Sequence, residues 1–403
     1  MRKVFVSIMI LAGLTLAINQ VQAAPPIVIG YNDILSGPFK SNGDAYLLGI
    51  EQAIKEINEA GGLLGRPIKI VKEDNQMKPE IAIQKLKKMI LKDKCDVIFG
   101  GGTSACCSAI AKAIPRYKKL FLTSGVALDL TGKQFNRYVF RPTFNVLINI
   151  KALSFYMGKQ KQFKKVYMIN QDYSYGHDSA TLYEKFIKEF SPGTEIVGKD
   201  FHPMFNKDFA PYISKIKASG ADYVFTGNWG MDLSQLIIQG RSLGMNLPIA
   251  GTLLGDPNSL RAMPGDQAVG GFGVDIFMLG LNTPKARKFE DSFYKTTEGT
   301  WPVAQIYIGY QMMMMYAEAV KKAGSLDVEK MIKAFEGLKW EGPVGPVTMR
   351  AKDHQAIQPM VIGQVVKKTK YFDFPFTKPI EVIPAEQVNY KPEEFGWKPH
   401  KGK

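Results

Sequence analysis

The feature that most restricts this chain is a strand–helix–strand alternation that runs to Arg141-Pro142, pauses, and starts again. Ile27-Val28-Ile29 reads as a short apolar strand followed by a Ser36-Gly37-Pro38 loop. From Asn42 to Ala60, Leu47, Ile50, Ile54 and Ile57 share one helical face, with Glu51, Lys55, Glu56 and Glu59 opposite. Gly61-Gly62 is the stop. Ile68-Lys69-Ile70-Val71, a helix over about 79–93, a strand at Asp96–Phe99, a helix from about Ala105 and Leu120-Phe121-Leu122 complete the first run. Such spacing predicts right-handed crossover units in a parallel sheet.

The second run opens with a helix over roughly 146–160. Strands are expected at Val166-Tyr167-Met168-Ile169, Glu195-Ile196-Val197, Asp222–Thr226 and Pro248-Ile249-Ala250. Helices beginning near Tyr175, spanning Phe209, Tyr212, Ile213 and Ile216, and containing Leu233, Leu236 and Ile237 separate them. Two runs of this length predict two similar lobes. Helices near 284–297, 303–323 and 327–336 then precede strand-like Val344–Met349 and Met360–Val366. The last thirty residues, rich in Pro and aromatics, are expected to wrap the surface.

The start of the chain points to export. Met1-Arg2-Lys3 precedes an apolar stretch from Val4 to Ile18, and Val21-Gln22-Ala23 offers small residues at the −3 and −1 positions before Ala24. The stretch is shorter than the roughly twenty residues a membrane helix needs. Residues 1–23 are therefore expected to be a signal peptide, and the mature protein a soluble periplasmic one. No Cys beside the cleavage site suggests a lipid anchor.

The formal charge of +15 becomes +13 without Arg2 and Lys3, and it is spread along the chain. Lys85, Lys87, Lys88, Lys92 and Lys94 share a segment with Leu86, Met89 and Ile90, which makes an apolar stripe with a solvated basic face. A nucleic-acid partner would call for concentrated charge interleaved with stacking aromatics, so none is expected. Cys95, Cys106 and Cys107 form neither a C-x-x-C nor a metal spacing with His177, His202 or His354. Free or buried thiols are favoured, with a bridge from Cys95 left open. No metal or cofactor is implied.

In parallel α/β sheets, ligands sit beyond the carboxyl ends of the strands. Gly100-Gly101-Gly102-Thr103-Ser104 follows one strand and opens a helix, whose unpaired N–H groups suit an anion; the alternative is that Ser104 is only a helix cap. Neither phosphate-loop motif fits there. Thr123-Ser124-Gly125-Val126-Ala127 ends the next strand. In the second run, Asp172-Tyr173-Ser174-Tyr175-Gly176, Gly227-Asn228-Trp229-Gly230 and Gly251-Thr252-Leu253-Leu254-Gly255-Asp256 stand at strand ends. A lone Trp usually packs a core, but Trp229 between two glycines leans toward ligand contact. The hydrolase motifs G-x-S-x-G and H-E-x-x-H are absent. Asp172, Asp232 and Asp256 read as solvated loop acids rather than a catalytic pair.

These residues carry a resemblance. Ser36-Gly37-Pro38, Gly49–Leu64 with Ile57-Asn58-Glu59-Ala60-Gly61-Gly62, Gly100 to Pro115 and Leu122–Ala127 come first. Tyr173-Ser174-Tyr175-Gly176, Asp208-Phe209 and Gly227-Asn228-Trp229 with Gln239–Gly244 follow, then Gly345-Pro346-Val347 and His354-Gln355 with Pro359 to Val365. In this order they resemble the solute-binding proteins of branched-chain amino acid ABC transporters. The resemblance implies a type I periplasmic binding fold: two parallel-sheet three-layer α/β sandwiches joined by a three-strand hinge. It places residues 24–144 plus 275–355 in the N-terminal lobe and 145–274 plus 356–403 in the C-terminal lobe. Crossings are expected near Phe144–Asn145, Phe272–Asp275 and Gln355–Ile357.

The resemblance also implies ligand contacts. Thr103, Ser104, Gly125 and Ala127 match positions that hold a ligand carboxylate, and Tyr175 and Trp229 match aromatics that cover it. Ala127 departs from a hydroxyl residue, and Leu253 stands where amino-acid binders often have an acid for the ligand ammonium. Either Asp256 or Asp172 substitutes, or the ligand is an aromatic or organic acid or an amide rather than an ordinary amino acid. The implied partners are a small molecule and, for a monomer that binds without turnover, the permease subunits of an importer. A ligand-sensing receptor subunit is the alternative, and a secreted hydrolase the third class.

Overall fold

The computed structural model describes residues 24–397, and the expected signal peptide at 1–23 lies outside them. In the first run the strands inside the edge strand at Ile68–Asp74 are covered on both faces, and alternation of side chains decides by what. β1 (Ile27–Asp33), β2 (Ile68–Asp74), β3 (Val97–Gly100), β4 (Leu120–Thr123) and β5 (Val139–Phe140) form a parallel sheet in the order β2-β1-β3-β4-β5. Ile27, Ile29, Tyr31, Val97, Phe99, Leu122 and Phe140 join the core under α1 (Lys40–Glu59). Ile98, Phe121 and Val139 instead pack under α2 (Pro79–Leu91) and α3 (Ser104–Ala113). The result is a three-layer sandwich.

The second run repeats it. α4 (Val146–Gly158) leads to β6 (Lys165–Gln171), α5 (Ser174–Phe190), β7 (Glu195–His202), α6 (Ala210–Ala218), β8 (Tyr223–Thr226), α7 (Gly230–Ser242), β9 (Ile249–Gly251), α8 (Pro257–Arg261) and β10 (Phe272–Asp275). β7-β6-β8-β9-β10 are neighbours and parallel. α9 (Pro284–Thr296), α10 (Ala304–Ala323) and α11 (Val328–Phe335) follow, then a small antiparallel sheet of β11 (Lys339–Glu341), β12 (Pro346–Met349) and β13 (Ala356–Ile357). β14 (Met360–Val366) and β15 (Phe376–Ile383) return to the second sheet, antiparallel, beyond β10. Among the described residues no helix is long and apolar enough to cross a membrane.

The tail departs from expectation. Phe376–Ile383 is a full edge strand, paired to β14 through a register shift at Ile362/Gly363. Pro379 disguised it, because a proline is tolerated in a strand chiefly at a sheet edge, and β15 is that edge. Beyond α12 (Ala385–Val388), Tyr390 and Trp397 are buried rather than laid on the surface. All three cysteines are buried and free, and burial pushes the Cys95 thiol up to about 11 and the Cys107 thiol to about 12.

α10 is drawn back to the first sandwich by a crossing with α1 that only glycine permits. A Cβ on Gly49 would stand 1.9 Å from the Ile306 carbonyl oxygen, and one on Gly309 would stand 1.9 Å from the Tyr46 carbonyl oxygen. The chain passes between lobes three times. One passage follows β5, where Arg141 bridges Gln355 in parallel (Arg141 N–H to His354 O, 2.9 Å; Ala356 N–H to Arg141 O, 3.0 Å). A second leaves β10 at Ile276, since Phe272–Asp275 itself lies inside the second sheet. The third runs from Gln355 to Gln358, where Gln311 of α10 donates to both Gln358 Oε1 (2.5 Å) and Pro142 O (2.7 Å).

Gly309→Ala should therefore cost at least about 2 kcal/mol, because a backbone oxygen has nowhere to yield. Denaturant unfolding measures this, and a change below about 0.5 kcal/mol would mean that the helices separate freely.

Candidate functional site

The carboxyl ends of β1, β3 and β4 bring the first lobe's loops together. Gly100 and Gly102 have φ of +111° and +70°, and added Cβ atoms would stand 2.9 Å from Asp33 Oδ2 and 2.7 Å from Asp33 Oδ1. The close approach those glycines allow is thus taken up by the lobe's own Asp33. α3 begins directly after. Its cap is Thr103, whose Oγ1 accepts from the Cys106 N–H at 3.2 Å, so Ser104 is not the cap. Ser104 is half-buried at the first turn, where helix N–H groups have no intrahelical partner.

Gly125 and Ala127 are tied down from within. The Gly125 N–H donates to Thr123 Oγ1 (3.0 Å), and the Ala127 carbonyl accepts from Arg141 Nη2 (2.5 Å). Their backbone groups are therefore partly committed to the lobe rather than free for a ligand.

On the second lobe, aromatic side chains gather at the starts of α5 and α7. Trp229 Nε1 donates to the Tyr173 hydroxyl (2.8 Å), Tyr173 and Tyr175 have ring centroids 6.0 Å apart, and the Tyr175 hydroxyl bonds Thr252 Oγ1 (3.0 Å). Tyr175 is buried, so Tyr173 is the more open of the two. The first lobe meets this cluster through Phe39. Its ring centroid lies 4.4 Å from that of Trp229 and 6.1 Å from that of Phe205. Asn258 of α8 also donates to Ser41 Oγ of α1 (3.3 Å). Phe39 and Tyr173 were missed as site residues, although both stand beside the Ser36-Gly37-Pro38 and Tyr173–Gly176 motifs that mark these loops.

The acids sort by use. Asp172 is exposed and pairs with His177 (2.7 Å), away from any buried group. Asp232 is buried and accepts from Gln171 Nε2 (2.6 Å) and the Phe205 N–H (2.9 Å), which holds the Phe205 loop. Asp256 caps α8 through Oδ2, bonded to the Ser259 N–H (2.8 Å) and hydroxyl (2.6 Å), while its Oδ1 is buried without a partner. Leu253 is half-buried against the core.

Two further carboxyls, Asp33 at the end of β1 and Asp275 at the end of β10, were not anticipated. In each, Oδ1 accepts from the next residue's N–H (Ile34, 2.7 Å; Ile276, 2.8 Å), and burial pushes each carboxyl up to about 7. Asp256 adds a like charge near Asp275. The Tyr46 hydroxyl of α1 is driven upward by its own burial and then by the charges of Asp33, Asp275 and Asp256. Burial raises the Tyr175 hydroxyl to about 12, with Asp275 adding to the shift. The charge of Asp275 thus bears on a tyrosine of each lobe.

Comparison with known proteins agrees with this architecture. Residues 26–370 match the family model described as periplasmic binding protein, and the chain belongs to that family. It is 32% identical over 375 residues to Leu/Ile/Val-binding protein homolog 4 of Brucella melitensis, covering 89% of this chain and 88% of that one. A leucine-, isoleucine-, valine-, threonine- and alanine-binding protein from Brucella ovis, solved in a closed conformation, superposes with a TM-score of 0.85 at 29% identity, covering 91% and 97% of the two chains. A Rhodopseudomonas palustris solute-binding protein solved with 3,4-dihydroxybenzoic acid has a TM-score of 0.78 at 22% identity, with 90% and 98% covered, and shares the fold. Within the family the chain is similar to the substrate-binding proteins of branched-chain amino acid ABC transporters, the type I periplasmic binding proteins.

Asp33 makes a pH test. The groups around its carboxyl are Tyr31, Tyr46, Asp74, Cys106 and Cys107, none of them cationic. Its folded-state value of about 7 exceeds the unfolded 3.8, so its contribution is full below about pH 4 and is lost as pH rises to 7. Asp33→Asn should be nearly neutral at pH 4 and more stable than the parent at pH 8, by up to roughly 4 kcal/mol. Paired denaturant titrations at the two pH values check this, and a pH-independent difference would contradict it.

Proposed function

We propose that this chain is the extracytoplasmic substrate-binding component of an ABC importer, exported by removal of residues 1–23 and working as a monomer. It captures a small amphipathic carboxylate in the cleft between its lobes and delivers it unaltered to membrane permease subunits. A branched-chain or hydrophobic amino acid, an aromatic or organic acid, or an amide belongs to that class. The relatives' names, which include leucine, isoleucine and valine binding, support the amino-acid end of it.

The observation that carries the reading is the ring contact between Phe39 and Trp229 across the lobes, at the mouth of loops from both sheets. Contacts made only when the lobes meet shift the open–closed balance toward closure. A carboxylate would rest on the Ser104 hydroxyl and the first N–H groups of α3, where the helix dipole favours negative charge. Trp229, Tyr173 and Phe39 would cover its apolar part, with Tyr175 behind them.

Two measurements follow. A thermal-shift panel of amino acids, aromatic acids, short fatty acids and amides should contain a stabilising ligand, and small-angle scattering should show compaction when it binds. Absence of compaction would count against a hinged trap. Trp229→Ala should weaken that ligand by about 1–2 kcal/mol, roughly tenfold, through loss of the ring contact and the bond to Tyr173. Unchanged affinity by calorimetry would remove Trp229 from the site.

A further inference from the structure

We propose that the segment from Pro384 to Trp397 is a strap fastened to both lobes beside the crossings, and that it biases them toward the arrangement in which Phe39 meets Trp229. The inference rests on the hinge closure proposed above, and adds to it an element that sets how readily the cleft opens.

The strap's first hold lies between two crossings. Asn145, which caps α4 after the first crossing, donates from Nδ2 to the Tyr390 hydroxyl (2.7 Å) while its Oδ1 accepts from the Ile148 N–H (2.9 Å). Arg350, just before the third crossing, donates to Asn389 Oδ1 (2.8 Å) and to the Tyr390 carbonyl, and its guanidinium lies 4.3 Å from the Tyr390 ring centre. Asp353 fixes that guanidinium in turn through both carboxylate oxygens (2.8 and 2.6 Å). The turn carrying Arg350 and Asp353 belongs to the first lobe, because His354 at its end stacks on Phe140 of β5 (3.8 Å). Asn145 opens a second-lobe helix. Tyr390 is thus held from both sides.

The remaining contacts divide in the same way. On the second lobe, Lys151 of α4 donates to the Asn389 carbonyl (2.7 Å), and Lys185 of α5 lies 4.1 Å from the centre of the Phe395 ring. On the first lobe, Trp397 packs on the loop after β4, so closely that a Cβ on Gly132 would stand 2.8 Å from Trp397 Cε2, and Lys352 pairs with Glu393 (3.2 Å). The rings of Tyr390, Phe395 and Trp397 lie 5.7, 5.7 and 5.4 Å apart, which couples the two sets of contacts. Tyr390 and Trp397 are 4% and 6% exposed, whereas Lys391, Glu393 and Glu394 face solvent. A tail that only finished one lobe would bury its rings there. This one shares them, so parting the lobes lifts Trp397 from Gly132 or Phe395 from Lys185 and returns apolar ring surface to water. That cost falls on the open state alone, and a differential cost is what shifts a two-state balance.

Spin labels on Leu91→Cys of α2 and Leu243→Cys at the end of α7 report the distance between lobes, since both positions are exposed while Cys95, Cys106 and Cys107 are buried. Electron–electron resonance is measured on the ligand-free chain from Ala24, with and without Trp397→Ala or Phe395→Ala. Each variant should raise the longer-distance population at least about twofold over the labelled parent. Trp397→Ala releases the first-lobe contact and Phe395→Ala the second-lobe one, so both should act in the same direction. Unchanged distances overturn the inference, even where the unfolding temperature falls, because the tail would then be a stabilising cover only. A shift to shorter distances overturns it as well. If Trp397→Ala does not fold, the half-buried Phe395 decides alone. The compaction measurement above tests hinge closure separately, so a null result here removes the strap and leaves the reading of the cleft standing.

Discussion

Arg141 is the residue on which the two lobes and their loops jointly depend. Its guanidinium is wholly buried and, among the described residues, no carboxylate bonds it directly: Nη1 donates to Gln355 Oε1 (3.2 Å), Nη2 to the Ala127 carbonyl, and the charge of Asp353 acts from further off. Burial lowers its pKa to about 10, which still leaves it charged at neutral pH. A buried charge bonded directly only by neutral acceptors is expensive, and losing either acceptor raises that cost. The same side chain therefore fixes the first crossing to the third and pins a loop of the cleft. Gln355 completes the arrangement by donating to the Thr143 (2.6 Å) and Ala356 (2.8 Å) carbonyls. The loop at Ala127 is thereby bonded to the same residues that join the crossings.

This coupling explains why the second crossing begins where it does. β10 stays inside the second sheet through Asp275, and the passage between lobes begins with the next residue. Asp275 is thus carried by the second lobe but placed at the pivot, where first-lobe Tyr46 feels its charge. On the proposed hinge closure, side chains near the crossings would move least, and Phe39 and Trp229 at the loop ends would move most.

Much of this was legible in the sequence because the relevant signals are periodic. The central parallel strands of both lobes alternate between two covered faces, and the helices between them carry apolar stripes, so their order could be read directly. Trp229 between two glycines stood out for a local reason. What stayed hidden had no period. Phe39 is a single aromatic in a Ser-Gly-Pro loop, and its partner lies 190 residues away on the other lobe. Asp275 closes a four-residue apolar strand, and nothing in Phe-Gly-Val-Asp shows that its carboxyl is buried. β15 was masked by a proline that an edge tolerates, and Thr103 took the capping role because its side chain, one position before Ser104, reaches the Cys106 N–H.

The first lobe's own bonds narrow how a ligand can be held. With the Gly125 N–H given to Thr123 and the Ala127 carbonyl given to Arg141, the loop after β4 has less to offer a carboxylate than its glycine suggested. On the proposed reading, anion affinity would fall mainly to the start of α3, a partial positive charge that is worth a fraction of a full cation's. Asp33, packed against Gly100 and Gly102 just before that helix start, opposes an anion whenever it is ionised. A ligand that brought only negative charge would meet a weak helix end backed by an acid.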